Sequence, residues 1–406
     1  MQERFNLEKT YQYLLIALAF LMPLTVSLAN LVIVIIVLLW LCSGDYKSKY
    51  NEIISSKLLI SSIVFYILHI IGMFWTEDLE WGFHILHKMW YFLLLLPVLY
   101  TIVKKEYTKY YIYAFLVAIA LTEILSYLVW FEVIGEFRKA YLHNPTPFMS
   151  SVSYNPFLAF TIYLVIHEIL FNKELKKLML GLYSFFSIVM IINMFITGGR
   201  AGQVAFFALM AILILQYFTG QRIKALIVAL IFIPAVFITA YQISPNFEHR
   251  VNLAIDEIVN YDVKTVAKHQ SASSSAGIRI LFAINSWEII KENALLGAGT
   301  GDFPNEYKKI SVRNSPNAPY ADNPHNMYVL VLVQLGIVGL LSMLSIMYYQ
   351  IKLSFKGSNR FFRDVGFALP LLFLVIMWSD SYLLGHFTGL LFVFFSSFLY
   401  KDFEKS

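Results

Sequence analysis

Twelve apolar runs follow one another along the chain, separated by charged or turn-rich breaks: residues 11–29, 30–43, 58–75, 81–103, 110–131, 151–171, 178–196, 202–218, 225–243, 327–351, 365–383 and 386–400. Most come close to the ~20 residues an α-helix needs to cross a hydrocarbon layer. Inside such a layer the backbone must satisfy its own hydrogen bonds, so a chain built this way folds as a bundle of helices. Of 406 residues, 59% are hydrophobic and only 14% charged, against about 45–50% and about 25% in soluble domains. That is more apolar surface than a water-soluble core can bury, and it excludes a soluble globule, a disordered chain, a collagen-like repeat and a coiled coil. The expected fold is an all-α, polytopic integral membrane protein with about twelve transmembrane helices.

Two connections stand apart. Residues 132–150 form a moderate loop, and residues 244–326 form one of about 80 residues with ordinary soluble composition. The expected organisation is therefore spans one to nine in residues 1–243, one large loop containing helices in residues 244–326, and spans ten to twelve in residues 327–406. With both termini cytoplasmic, 19 of the 31 basic residues fall on the inner side and only Lys88, Arg138, Lys139 and Arg200 outside the long loop face out. This is the positive-inside asymmetry, which long loops escape. It places residues 244–326 in the periplasm or the extracellular space.

The net charge of +5 is spent on that orientation and gives no argument for nucleic acid. The single cysteine, Cys42, excludes an intrachain disulfide and a cysteine metal site. Arg4 and Lys9, an apolar run and then Ser27-Leu28-Ala29 imitate a cleavable leader. The next apolar run starts at once with no exported head, so retention is expected. No internal repeat is apparent, and residues 271–275 read as a flexible serine-rich stretch.

Residues able to carry chemistry gather towards the outer face. Asn323-Pro324-His325-Asn326-Met327-Tyr328 ends the long loop where a helix starts and continues through Leu335-Gly336-Ile337-Val338-Gly339. A helix N-terminus disfavours imidazolium, so His325 is kept neutral and able to accept a proton; a plain capping role is the alternative. Thr197-Gly198-Gly199-Arg200-Ala201-Gly202 breaks two spans with glycines around an arginine whose planar donor fork suits phosphate; a tight turn with Arg200 at lipid headgroups is the alternative. Arg279 opens an amphipathic stretch with Ile280, Ala283, Ile284, Trp287 and Ile290 at helical spacing, where it points at an anion or lies on a solvated face. Gly297-Ala298-Gly299-Thr300-Gly301 reads as a turn, open to use as an anion-binding nest of amides. His84, His87 and Lys88 share one helix face, with Lys88 either a weak substrate contact or a snorkelling anchor. Glu123 is a second ionisable group within a span. Glu77-Asp78-Leu79-Glu80 is the one outward acidic cluster dense enough to suggest a divalent metal, and a solvated loop is the better reading.

In order and spacing, the Gly-Gly-Arg200-Ala-Gly break, the Arg279 helix ending in Leu-Leu-Gly-Ala-Gly-Thr-Gly-Asp-Phe, and the Pro-His325-Asn-Met-Tyr end of one large loop before Leu-Gly-Ile-Val-Gly resemble the O-antigen ligase superfamily. The motif-bearing part runs over residues 197–339. The family more often has Ser before the first arginine, where this chain has Gly199. The resemblance implies transfer of a glycan from undecaprenyl pyrophosphate to a hydroxyl of the lipid A core at the periplasmic face of the bacterial inner membrane. It implies catalytic roles for His325, Arg200 and Arg279, the two arginines binding the donor. It implies an inverting, metal-independent reaction with no cofactor, and membrane lipids rather than nucleic acid as surroundings.

Within the superfamily, an O-antigen polymerase differs only in its acceptor. Protein O-oligosaccharyltransferases usually carry sequence beyond the last span, and the short stretch after Tyr400 favours a ligase. A transporter or flippase is the competing class. It would show paired discontinuous helices and midplane charges, whereas the charged candidates here gather at one face.

Overall fold

The computed structural model describes residues 2–259, 275–317, 319–357 and 359–401. The described residues are helical, with isolated bridges at Phe137–Ala140 and Tyr141–Asn144 as their only β-type pairing. In chain order the helices are α1 (Gln2–Leu21), α2 (Val26–Cys42), α3 (Tyr46–Ser55), α4 (Lys57–Gly72), α5 (Leu79–Trp90) running through a π-turn into α6 (Leu96–Ile102), α7 (Thr108–Trp130), α8 (Ser151–Phe171), α9 (Lys177–Ile196), α10 (Arg200–Tyr217), α11 (Arg222–Ile243), α12 (Pro245–Val259), α13 (Ser275–Glu292), α14 (Phe303–Asn314), α15 (Met327–Ser354), α16 (Arg360–Ile376) and α17 (His386–Leu399). Among the described residues, seven helices are long and apolar enough to cross a membrane, or eight if the bent pair α2 and α3 counts as one. α4 and α17 are shorter apolar helices.

The first two runs divide differently from expectation. The break falls at a turn around Pro23, not at residue 29, because proline removes a helical N–H and clashes with the preceding turn. Ser27-Leu28-Ala29 consequently lies in the first turns of α2. The serine-rich stretch lies outside the described residues except for Ser275, which begins α13.

Contacts between connections sort onto two ends of the bundle. At one end Thr76 meets Asp302, Gly198 meets Arg250, Tyr382 meets Val152 and Asn323 meets Ser381. At the other, Lys401 meets Tyr100 and Glu52, Lys104 meets Glu8, and Arg360 meets Gln216. A chain that repeatedly traverses the bundle produces this sorting. The two ends are called here the His325 end and the Lys401 end.

The expected continuous helix after Met327 is broken. Gly336 has φ +60° inside α15, and the segment following α13 is wedged into the break. Ala298 N–H donates to Val333 O (2.8 Å) and Gly299 N–H to Gln334 O (3.1 Å); Ile337 N–H donates to Ala294 O (2.9 Å) and Val338 N–H to Leu295 O (3.3 Å). These are the carbonyls and amides that an unbroken helix would have paired with each other four residues apart. A buried helix interruption is tolerable only when its freed groups find partners, and here the loop supplies all four. The glycine-rich turn is therefore a structural plug. The amides of residues 297–300 are engaged, Gly297 N–H donating to Asn293 O (2.9 Å) and Thr300 N–H to Gly72 O (3.2 Å), which argues against the anion-nest reading.

A second latch completes the docking. Buried Asp302 accepts from Thr76 Oγ1 (2.7 Å), Glu77 N–H (3.0 Å) and Asp78 N–H (2.9 Å). Asp78 caps α5 by accepting from Trp81 N–H, and Glu77 pairs with Lys309 at 3.0 Å. The acidic cluster thus ties the turn before α5 to α14. Among the described residues no group of three or more His, Cys, Asp or Glu is arranged to hold a metal ion.

Candidate active site

His325 sits in a turn that the sequence builds locally. Asn323 accepts the His325 N–H on its side-chain oxygen (2.8 Å), an Asx-type turn across Pro324, and holds His325 at φ +49°. The next residue, Asn326, is the helix cap, accepting from Tyr328 N–H (3.0 Å) and Val329 N–H (3.1 Å). The capping alternative for His325 fails on this point, since the cap is already supplied. The imidazole is released for other work. Its Nδ1 lies 3.1 Å from Asp380 Oδ1, and 43% of the side chain is exposed, so a substrate can reach the ring.

Asp380, in the turn between α16 and α17, was not singled out from the sequence. Its signal was a single acidic residue at the His325 end of an apolar hairpin, indistinguishable there from a loop carboxylate. Asp380 also accepts from Ser381 N–H (2.7 Å), and Ser381 Oγ donates to Asn323 Oδ1 (2.9 Å). His325, Asp380, Ser381 and Asn323 so form a closed ring of hydrogen bonds joining two turns.

Arg279 reaches this group through α13. Phe282, one turn along, lies parallel to the His325 ring at 6.3 Å. Arg279 Nε is buried without a hydrogen-bond partner among the described residues. Burial raises the Tyr382 phenol above its usual range, the Ser379 side chain lowers it, and the Asp380 and Arg279 charges act on it in opposite senses. The charges of Arg279 and Asp380 thus both act on Tyr382. The apolar stripe is split: Ile290 is buried, but Ile280, Ile284 and Trp287 are exposed, and Leu281, Phe282, Asn285, Ser286 and Ile289 are buried beside it. In a membrane protein the lipid side also welcomes apolar residues, so apolar periodicity alone does not mark the inside.

Arg200 begins α10, and Tyr382 leads to it by donating to Val152 O (3.2 Å) on the first turn of α8. A Cβ at Gly199 would strike Ser151 O and Asn155, and one at Gly202 would strike the Asn155 backbone. The glycines flanking Arg200 thus seat α10 on α8 rather than leaving room for a ligand. Asn155 secures the turn, donating to Gly199 O (3.2 Å) and accepting from Thr197 Oγ1 (2.7 Å). A third arginine missed in the sequence, Arg250 of α12, donates to Gly198 O (2.6 Å) and Asn246 Oδ1 (2.9 Å). Burial first, and then the Arg200 charge, hold Arg250 below the ordinary arginine value.

Arg279 is linked to His325 through its own helix, whose Phe282 packs on the imidazole, and Arg200 more remotely, through Tyr382 and the start of α8. Lys88 is not joined to them. It is exposed on α5 one turn beyond His84, which stacks on Trp81 and interacts electrostatically with Asp322. Glu123 is buried in α7 and accepts from Tyr154 OH (2.5 Å). An oriented imidazole can take the proton from a hydroxyl, and guanidinium groups can stabilise a departing phosphate.

Residues 185–344 match the family model described as O-antigen ligase, spanning Arg200, Arg279 and His325, which supports membership of the O-antigen ligase superfamily. That family indicates a glycosyltransferase-like ligase or polymerase acting on lipid-linked glycans. No curated protein matches the chain.

Proposed function

We propose that this O-antigen ligase superfamily member transfers a glycan from undecaprenyl pyrophosphate to a hydroxyl of the lipid A core, at the periplasmic face of the bacterial inner membrane. The observation that carries the reading is the His325–Asp380 pair at 3.1 Å, with Arg279 on the helix whose Phe282 stacks on the same imidazole.

An ionised carboxylate only accepts, so Asp380 fixes the proton on Nδ1 and leaves Nε2 with its lone pair towards the acceptor. His325 removes the acceptor's hydroxyl proton as the oxygen attacks the anomeric carbon. The bond from that carbon to the pyrophosphate oxygen breaks, and undecaprenyl pyrophosphate leaves with the electron pair. One displacement inverts the anomeric centre. The glycan enters already activated, so no further energy source is needed. Arg200 and Arg279 meet the charge developing on the leaving pyrophosphate, a role for which guanidinium is suited by its fixed fork. This assigns the cationic role to the protein rather than to a divalent metal.

Deletion of the gene in its native host, with gel analysis of lipopolysaccharide, tests the acceptor. Loss of the ladder with accumulation of full-length lipid-linked glycan supports ligation. Core capped by a single repeat would make the chain a polymerase.

A further inference from the structure

A cavity of about 560 Å³ opens at the Lys401 end, across the bundle from His325. Lys57, Lys105, Lys352, Lys356 and Lys401 line it, and Glu52 is the sole acidic residue among its described lining residues. Glu52 is consumed by Lys401, at 3.1 Å. Lys401 also donates to Tyr100 O (2.7 Å) and Val103 O (3.2 Å), which fixes it as part of the wall. The other four lysines are exposed and find no further carboxylate in the lining. Like charges gathered around one cavity repel unless an anion is shared among them.

The neighbouring helix says what kind of anion. α3 turns 115° away from α2, after Gly44 and Asp45 with φ of +66° and +55°. Tyr46, Tyr50 and Ile54 recur every fourth residue on α3 and are all exposed, while Glu52 and Ser55 of the same helix line the cavity. A helix lying across the direction of a spanning helix, with an outward apolar stripe beside Lys47 and Lys49, lies in the membrane interface. The cavity mouth then stands at the depth of phospholipid headgroups.

We infer that this cavity binds the headgroup of an anionic phospholipid from the leaflet at the Lys401 end, its phosphate shared among Lys57, Lys105, Lys352 and Lys356. The site is separate from the glycan-transfer residues and does not depend on the proposed reaction. Basic pockets between membrane helices are suited to such lipids, each lysine near an anionic surface contributing about fivefold in affinity.

The test uses the full chain in nanodiscs of mixed phosphatidylglycerol and phosphatidylcholine, released for native mass spectrometry of retained lipid. The wild-type chain retains phosphatidylglycerol preferentially. Replacing the four lysines together by glutamine lowers that preference by about tenfold or more, and replacing them by arginine preserves it, which keeps the test open if the glutamine variant folds poorly. Changing Lys173, Lys176 and Lys177 to glutamine, away from the cavity, leaves the preference intact. Equal loss in that control, full retention in the glutamine variant, loss in a folded arginine variant, or comparable binding of chain-free glycerol phosphate would each overturn the proposal.

Discussion

His325 Nδ1 and Asp380 Oδ1 lie 3.1 Å apart although the residues are 55 positions apart in the chain. The pairing converts a histidine in a loop into one of defined tautomer, because the carboxylate can only receive the Nδ1 proton. Ser381 and Asn323 close the ring behind it, so the orientation of the imidazole and the backbone of both turns are set by the same four residues.

General-base assistance is typically worth about 10²- to 10⁴-fold in rate, and His325→Ala is expected to lose turnover on that scale while still binding donor. His325→Asn keeps polar contacts but cannot act as a base, and it should be equally impaired. Asp380→Asn should lower kcat more than donor KM, since an amide also lets the imidazole adopt the wrong tautomer. Purified chain assayed with lipid-linked donor and core acceptor reads all three. Near wild-type turnover in His325→Asn removes His325 from the mechanism.

Gly336 and Gly44 both have positive φ, +60° and +66°, but differ in what surrounds them. A Cβ at Gly336 would strike the Leu295 backbone that fills the helix break, whereas Gly44 has nothing within 4 Å. Gly44→Ala should therefore cost only the left-handed strain of about 1–2 kcal/mol. Gly336, at φ +60° and ψ −159°, lies in a region essentially reserved for glycine, so Gly336→Ala should cost more in backbone strain and also displace the wedged loop, lowering the thermal midpoint far more and abolishing activity with it. Melting of both variants in detergent checks the contrast. Equal shifts would mean that the wedge contributes nothing beyond backbone strain.

The helical class was legible because hydrocarbon leaves the backbone no alternative, and residues 151–171 form a helix with the same bounds as their apolar run. The first break was misplaced where Pro23, a local steric signal, outranked hydropathy. The outward part of the α13 stripe has a different origin. Asn285 and Ser286 point inward, where Asn285 donates to Tyr307 OH (3.2 Å) and Ser315 Oγ (2.9 Å), while Trp287 faces out. Of the proposed site, His325, Arg200 and Arg279 are visible in the sequence as unusual residue types in glycine- or proline-marked positions. Asp380 and Arg250 are not, because what distinguishes them is which distant turn they meet.

Sidedness is expected to follow the basic residues: the His325 end periplasmic and the Lys401 end cytoplasmic. In a Cys42→Ser background, a cysteine placed at Ser273 should react with a membrane-impermeant maleimide added to intact spheroplasts. One placed at Lys356, in the turn after α15, should react only after lysis. The reverse pattern would put the proposed site in the compartment that lacks the acceptor.

Arg200 and Arg279 are expected to hold the donor pyrophosphate by two-pronged contacts, which lysine cannot reproduce because its ammonium is a point charge on a flexible stem. The buried Nε of Arg279, without a partner among the described residues, shows that this side chain is not anchored through that nitrogen to its own fold. Arg250 is anchored, to Gly198 O and Asn246. Loss of a donor that stabilises developing charge costs about 10²- to 10³-fold in kcat, so Arg200→Lys and Arg279→Lys should each fall in that range with normal membrane insertion. Arg250→Gln should act more weakly and through the placement of the Gly198 turn, raising donor KM more than it lowers kcat. A chelator added to the wild-type assay should change nothing; strong inhibition would return a divalent ion to Glu77, Asp78 and Glu80. Steady-state kinetics on purified variants decide between the roles, and near-normal kcat in both lysine variants would reduce these arginines to surface cations.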